Sequence, residues 1–149
     1  MPYVELHCHS AFSLLDGASH PVELAAAAAE RGHAALALTD HDSLGGVMEL
    51  AQAAAPLGVR TITGAELTLA DGRHLTLLCE DRTGYRNLCR LVTLAHAGTR
   101  GEEPLEVPGE EPRARTIRAG LRSRPPAHPP SVPLEEVERH AEGLVCLTG

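Results

Sequence analysis

Lysine and tryptophan are absent from this 149-residue chain, and its aromatic complement is one Phe and two Tyr. With 43% hydrophobic residues but so few rings, any core has to be built mainly of Ala, Leu and Val. Positive charge is short as well: thirteen basic residues, all Arg, face twenty acidic ones, for a net charge of -7. That balance argues against a free-standing nucleic-acid-binding module, which needs a basic patch to displace counterions from phosphates. The excess of Arg and Ala reads as coding bias. Cys8, Cys79, Cys89 and Cys146 include no CxxC pair, so neither a zinc knuckle nor a disulfide framework is indicated and reduced thiols are expected. No stretch reaches the roughly 20 apolar residues of a membrane span, and no basic start leads into an apolar leader. A soluble, cytoplasmic protein with no membrane partner is expected, about one domain long.

What is present alternates. From Val4 to Cys8 every second residue is apolar, while Glu5, His7 and His9 share the other face, the period of a strand. Ser19 or His20 can cap the next segment, Pro21 suits a first helical turn, and the alanine-rich run to Arg31 stops at Gly32. Ala35 to Leu38 leads into Thr39-Asp40-His41-Asp42, and a second helix is expected from about Leu44 until Pro56 and Gly58. Val59 to Thr63 predicts a third strand running into Gly64-Ala65-Glu66. Leu67 to Leu78 predicts a hairpin around Asp71-Gly72, and Tyr85 to Ala97 an amphipathic helix. Strands alternating with helices point to α/β architecture, with open sheet and barrel both open at this point.

Between about Gly98 and Pro133 the composition turns to Pro, Arg, Glu and Gly without apolar periodicity, which reads as a disordered insertion. Its five arginines between Arg113 and Arg124 read as a solvated linker in preference to a phosphate-contacting arm. Leu134 to Glu142 then predicts a helix and Leu144 to Leu147 one more buried strand. The chain thus divides into 1-97, the insertion 98-133, and a continuation of the first part over 134-149.

The polar residues fall at strand ends: His7 and His9, then Asp40 and His41, then Glu66. Parallel α/β folds build their sites there, because side chains from several strands converge on one rim. Imidazoles and carboxylates together are ligands for Zn²⁺, Mn²⁺ or Fe²⁺, and such a cluster suits phosphoester hydrolysis. Each residue also has a plainer role. Asp16-Gly17 alone is a turn signal, Asp40 can cap the following helix, and Glu66 can be an exposed carboxylate. His20, His33, His74, His128 and His140 match no useful spacing and are read as surface residues.

Taken together, HxH, then Asp-Gly, then TDHD, then a GxE strand end resemble the polymerase and histidinol phosphatase (PHP) superfamily. That resemblance implies the N-terminal part of a distorted seven-stranded (β/α) TIM-like barrel, incomplete at its C-terminus, whose rim holds up to three divalent metals: Zn, Mn or Fe, with Mg a further choice. The metal ligands it implies are His7, His9, Asp16, His41, Glu66 and, in the helix after the hairpin, His96. Asp40 matches a position usually close to the metals and is read as standing behind the ligands, with the catalytic role assigned to it. The segments FSLLDGASHPVEL, GYRNLCRLVTLAH and EGLVCLTG resemble the N-terminus of bacterial C-family DNA polymerases, relatives of the polymerase III alpha subunit, and most of all their error-prone branch. Family members continue with a Cys or His ligand and an Asp-x-His pair, so an amino-terminal piece of a longer chain is expected. Its DNA partner would be reached through polymerase modules, with replication or repair proteins as further partners. A stand-alone metal-dependent phosphatase and a vestigial binding module are the two alternatives.

Overall fold

The structure, a computed structural model, describes residues 3–97, 99 and 128–147. Strand β1 is Val4–Glu5 alone, shorter than the alternation over Val4 to Cys8 predicts. Thr39 accounts for the difference. Its Oγ1 accepts the Cys8 N–H at 3.1 Å and its own N–H donates to the Cys8 carbonyl at 2.9 Å. The segment bearing His7 and His9 is therefore held by a side chain beyond the strand ladder.

Helix α1, Pro21–Glu30, begins as the sequence indicates: Pro21 opens it and the Glu23 carboxylate accepts the His20 N–H at 2.8 Å. Gly32, at φ +69°, ends it in the left-handed region that suits glycine. Strand β2, Ala35–Leu38, is buried at every residue, which explains its unbroken apolar run. Helix α2, Val47–Ala54, starts three residues later than expected. Gly45 and Gly46 lie against Phe12, and a Cβ on Gly46 would come within 2.9 Å of Leu38. A 3-10 turn over Ala55–Leu57 leads to β3, Arg60–Thr68, which forms a hairpin with β4, His74–Cys79. Helix α3 is Arg82–Ala97, α4 is Leu134–Arg139, and β5 is Leu144–Leu147.

The five strands lie in sequence order in one sheet. β1, β2 and β3 are parallel, whereas β4 runs antiparallel to both β3 and β5. The sheet curls into half a barrel, so of the two architectures left open by the alternation, the barrel-like one is found. Because β4 reverses, its first residue, His74, pairs with Thr68 at the same end of the sheet as the C-terminus of β3. This reversal decides which side chains reach the rim.

Two apolar clusters support the sheet. One joins Leu67 and Leu77 of the hairpin to Leu88 and Leu91 of α3, with Val132 and Val137. The other packs Ala25 and Ala28 of α1 and Leu50 of α2 on Leu36 and Leu38 of β2. Leu44 touches both. Truncating a fully buried leucine such as Leu88 costs about 2–5 kcal/mol, so the hairpin is held firmly on its helix.

Two expectations need correction. β5 is not buried: Val145 is 44% exposed and Cys146 is exposed, since among the described residues β5 has a strand neighbour only on its β4 side. The expected insertion also ends before Pro133. Val132 is fully buried, its carbonyl accepts the Ala70 N–H at 3.0 Å, and its own N–H donates to the Thr68 carbonyl at 2.9 Å. Residues 100–127 of that stretch lie outside the described residues. No described helix is long and apolar enough to cross a membrane.

Candidate metal centre

The rim is built outward from a buried carboxylate. Asp40, 1% exposed, follows β2 and accepts three hydrogen bonds: from the Ser10 N–H at 2.7 Å, the Ser10 hydroxyl at 2.8 Å and the Ser13 hydroxyl at 2.7 Å. Ser13 Oγ in turn accepts the His41 N–H at 3.0 Å. One chain of bonds thus fixes the loop after β1 against the loop after β2. Gly17 closes the first of these loops tightly; a Cβ there would overlap the Ser10 carbonyl, so the Asp16-Gly17 pair needs its glycine.

Above this base, five of the six expected ligands come together. His7 Nε2 lies 2.5 Å and His9 Nε2 3.2 Å from Glu66 Oε2, and the two ring nitrogens are 3.1 Å apart. The Asp16 carboxylate bonds His9 Nδ1, which leaves His9 Nε2 directed at Glu66, and lies 3.5 Å from His41 Nε2. His41 Nδ1 is 3.8 Å from Glu66 Oε1.

A sixth residue occupies a place the sequence reading left empty. His74 Nδ1 lies 3.0 Å from Glu66 Oε1, so His74 is part of the cluster and not a mere surface residue. The hairpin register carries a signal for it. Glu66 pairs with Thr76 and Thr68 with His74, so counting back from the Asp71-Gly72 turn puts Glu66 and His74 on one face as diagonal neighbours. A search for ligands only at strand C-termini passes over the head of a reversed strand.

His96 stands apart from the other expected ligands. His96 Nε2 donates to the Asp42 carbonyl at 2.8 Å and joins none of the described ligand groups. Asp40 lies beneath the rim with its oxygens bonded to serines. Among the described residues, the groups that could hold an ion are His7-His9-Glu66, His9-Asp16-His41 and His41-Glu66-His74.

The electrostatics match this geometry. Burial pushes the Glu66 carboxyl up, but the His7 hydrogen bond and the charges of His41, His7 and His9 outweigh it, so its pKa lies below the ordinary 4.5. Asp16 is also lowered, chiefly by its bond to His9. Both are ionised at neutral pH. The cysteines point elsewhere in chemistry: burial raises Cys8 and pushes Cys79 up to about 11, leaving protonated thiols. A cavity of about 960 Å³ between the start of β3 and the start of α3 is lined by Thr61, Thr63, Arg82 and Tyr85 and shares no residue with the cluster.

Ligand spacing supports a fit to metal. Tetrahedral Zn²⁺ with bonds of about 2.0–2.1 Å sets neighbouring ligand atoms roughly 3.3 Å apart. Two of the three edges of His7-His9-Glu66 measure 3.1 and 3.2 Å, and the third needs to open from 2.5 Å.

Comparison with known proteins agrees over the same residues. The PHP domain family model matches residues 5–149. The chain belongs to the PHP domain family. Among curated relatives, an error-prone DNA polymerase of Symbiobacterium thermophilum is 42% identical over 152 residues, covering all of this chain and 13% of that protein. The error-prone DNA polymerase of Dechloromonas aromatica is 54% identical over 93 residues, covering 62% of this chain and 9% of the relative. This PHP chain therefore spans about a tenth of the length of such relatives. Among solved structures, an amidohydrolase from Chromobacterium violaceum with bound sulfate is 39% identical, with a TM-score of 0.53 over 64% of this chain and 34% of that one. A protein of Bifidobacterium adolescentis described as a putative metal-dependent phosphoesterase shares the fold at a TM-score of 0.61 and 20% identity, over 96% of this chain and 65% of its own.

Proposed function

We propose that this PHP domain is the N-terminal region of an error-prone DNA polymerase and carries a metal-dependent phosphoesterase site. The observation that carries the chemistry is Glu66, whose two oxygens face different histidine pairs: Oε2 faces His7 and His9, Oε1 faces His74 and His41. Among the described residues, His7, His9 and Glu66 would hold one divalent ion, His41, Glu66 and His74 a second, and His9, Asp16 and His41 a third. Divalent ions held there supply Lewis-acid charge neutralisation and a water of lowered pKa, the requirements of phosphoester hydrolysis. Zn²⁺, Mn²⁺ and Fe²⁺ all suit this mixture of imidazole and carboxylate.

The protein's own contribution is orientation. Asp16 at His9 Nδ1 directs the opposite ring nitrogen inward, as outer hydrogen bonds do for metal-binding histidines. Asp40 acts one layer below as a positioning residue through Ser10 and Ser13. DNA as substrate or template belongs to the longer proteins that these relatives represent, and 3′ to 5′ exonuclease action is the phosphoesterase reaction that would serve such a polymerase.

The test is metal uptake by the purified chain. We expect Mn²⁺ or Zn²⁺ to be retained through dialysis and measured by elemental analysis, and Glu66→Ala to abolish most of it. An unaltered chain that retains no metal would sink the reading and leave a vestigial module. Rapid turnover of a simple phosphomonoester but not of an oligonucleotide would favour a stand-alone phosphatase.

A further inference from the structure

Of the rim histidines, His41 is held least by its own side chain. His7, His9 and His74 each have a carboxylate oxygen within 3.0 Å, whereas the nearest to His41 lie at 3.5 and 3.8 Å. Its ring meets His9 and His74 edge-on, at centroid distances of 4.5 and 5.2 Å, and no carboxylate fixes it closely, so the backbone that carries it matters for where it points. That backbone runs straight into Asp42, which has φ +47°, a conformation side-chain-bearing residues rarely adopt. Asp42 is tied to β3 by its N–H to the Glu66 carbonyl at 2.9 Å, and by its carboxylate, which accepts the Thr68 N–H at 2.9 Å and the Thr68 hydroxyl at 2.7 Å. The remaining handle, its carbonyl, accepts the Nε2–H of His96 from the last turn of α3 at 2.8 Å.

We infer that His96 is a positioning residue of this centre: it fixes the Asp42 peptide from the α3 side and so aims His41 at its neighbours, without touching an ion itself. This rests on the metal-centre reading above. With Asp42 bound to β3 at one end and to α3 at the other, the left-handed turn cannot relax, and His41 keeps its place between Asp16 and Glu66. A side chain bonded to backbone one residue beyond a ligand acts as the outer hydrogen bonds of metal sites do, where loss of one partner typically weakens binding about 10–100-fold.

Titration of the metal-stripped full chain with Mn²⁺, followed by the paramagnetic resonance of the free ion, reads both stoichiometry and affinity. His96→Ala is expected to leave the number of ions unchanged while weakening one of them about tenfold. His96→Gln, whose amide can donate to the same carbonyl, is expected to recover most of that affinity. His140→Ala, which removes a ring bonded to the Glu136 carbonyl elsewhere, is expected to change nothing. Loss of one ion in His96→Ala without recovery in the Gln variant would make His96 a ligand and overturn the inference, as would unchanged affinity in His96→Ala. If His96→Ala does not fold by circular dichroism, the Gln variant decides: wild-type stoichiometry and near wild-type affinity support positioning, a missing ion refutes it. An unaltered chain that takes up no Mn²⁺ overturns the metal-centre reading and this inference together.

Discussion

Asp40 shows how one side chain can govern a site it does not enter. Its carboxylate is 1% exposed and satisfies three donors on a neighbouring loop, so its removal strands buried polar groups. Leaving a buried donor unpaired costs about 1–3 kcal/mol each. We expect Asp40→Ala to lower unfolding free energy by about 3 kcal/mol or more in urea titration; a change below about 1 kcal/mol would show that the carboxylate does not hold the loops. Glu66 carries a different signature. Its native pKa lies below 4.5, because the His7 bond and neighbouring charges outweigh burial, so the native state holds the proton less tightly than the unfolded chain. Its contribution to stability is therefore full above about pH 4.5 and fades as pH falls through the lowered native value. In the metal-free chain, the urea midpoint should drop on acidification across this window, and more gently in Glu66→Gln, whose amide does not titrate.

At the scale of elements, the hairpin is the critical piece. β3 brings Glu66 to the rim with its tail and β4 brings His74 with its head, and the short turn around Asp71-Gly72 sets their relation. Side chains alternate along a strand, so a one-residue slip turns every side chain of β4 over. Inserting one glycine between His74 and Leu75 is expected to move His74 off the Glu66 face if Leu77 keeps its register, and elemental analysis should then show less retained metal. If metal content stays at the wild-type level, His74 is not a ligand.

The same element marks the limit of what the sequence could tell. His7, His9, His41 and Glu66 were legible because each stands at or just past the end of a strand, whereas Asp16 alone reads as a turn signal and joined them only through the family resemblance. Helix α1 was legible at both ends through Pro21 and Gly32. His74 required a count across the turn, and His96 sat at the right distance along the chain but on a helix that contacts the Asp42 carbonyl instead. Val132 was obscured by the prolines around it, although the core under Leu69 takes it in completely.

Across the whole molecule, the two ends of the sheet are managed differently. β1 offers only two residues to a would-be partner, a length that limits pairing, whereas β5 presents four with Val145 and Cys146 in solvent. Light scattering over a concentration series should show growing particles for the unaltered chain, and Val145→Lys should suppress that growth. Size independent of concentration would mean that the β5 side is already protected.

The φ of +47° at Asp42 has a consequence for heredity as well as for geometry. Asparagine, which also tolerates this turn and can still accept from Thr68, is the mildest replacement there, while a branched aliphatic residue would meet steric cost and lose both Thr68 bonds at once. Substitutions at this one position should therefore sort sharply into silent and ruinous, with little in between.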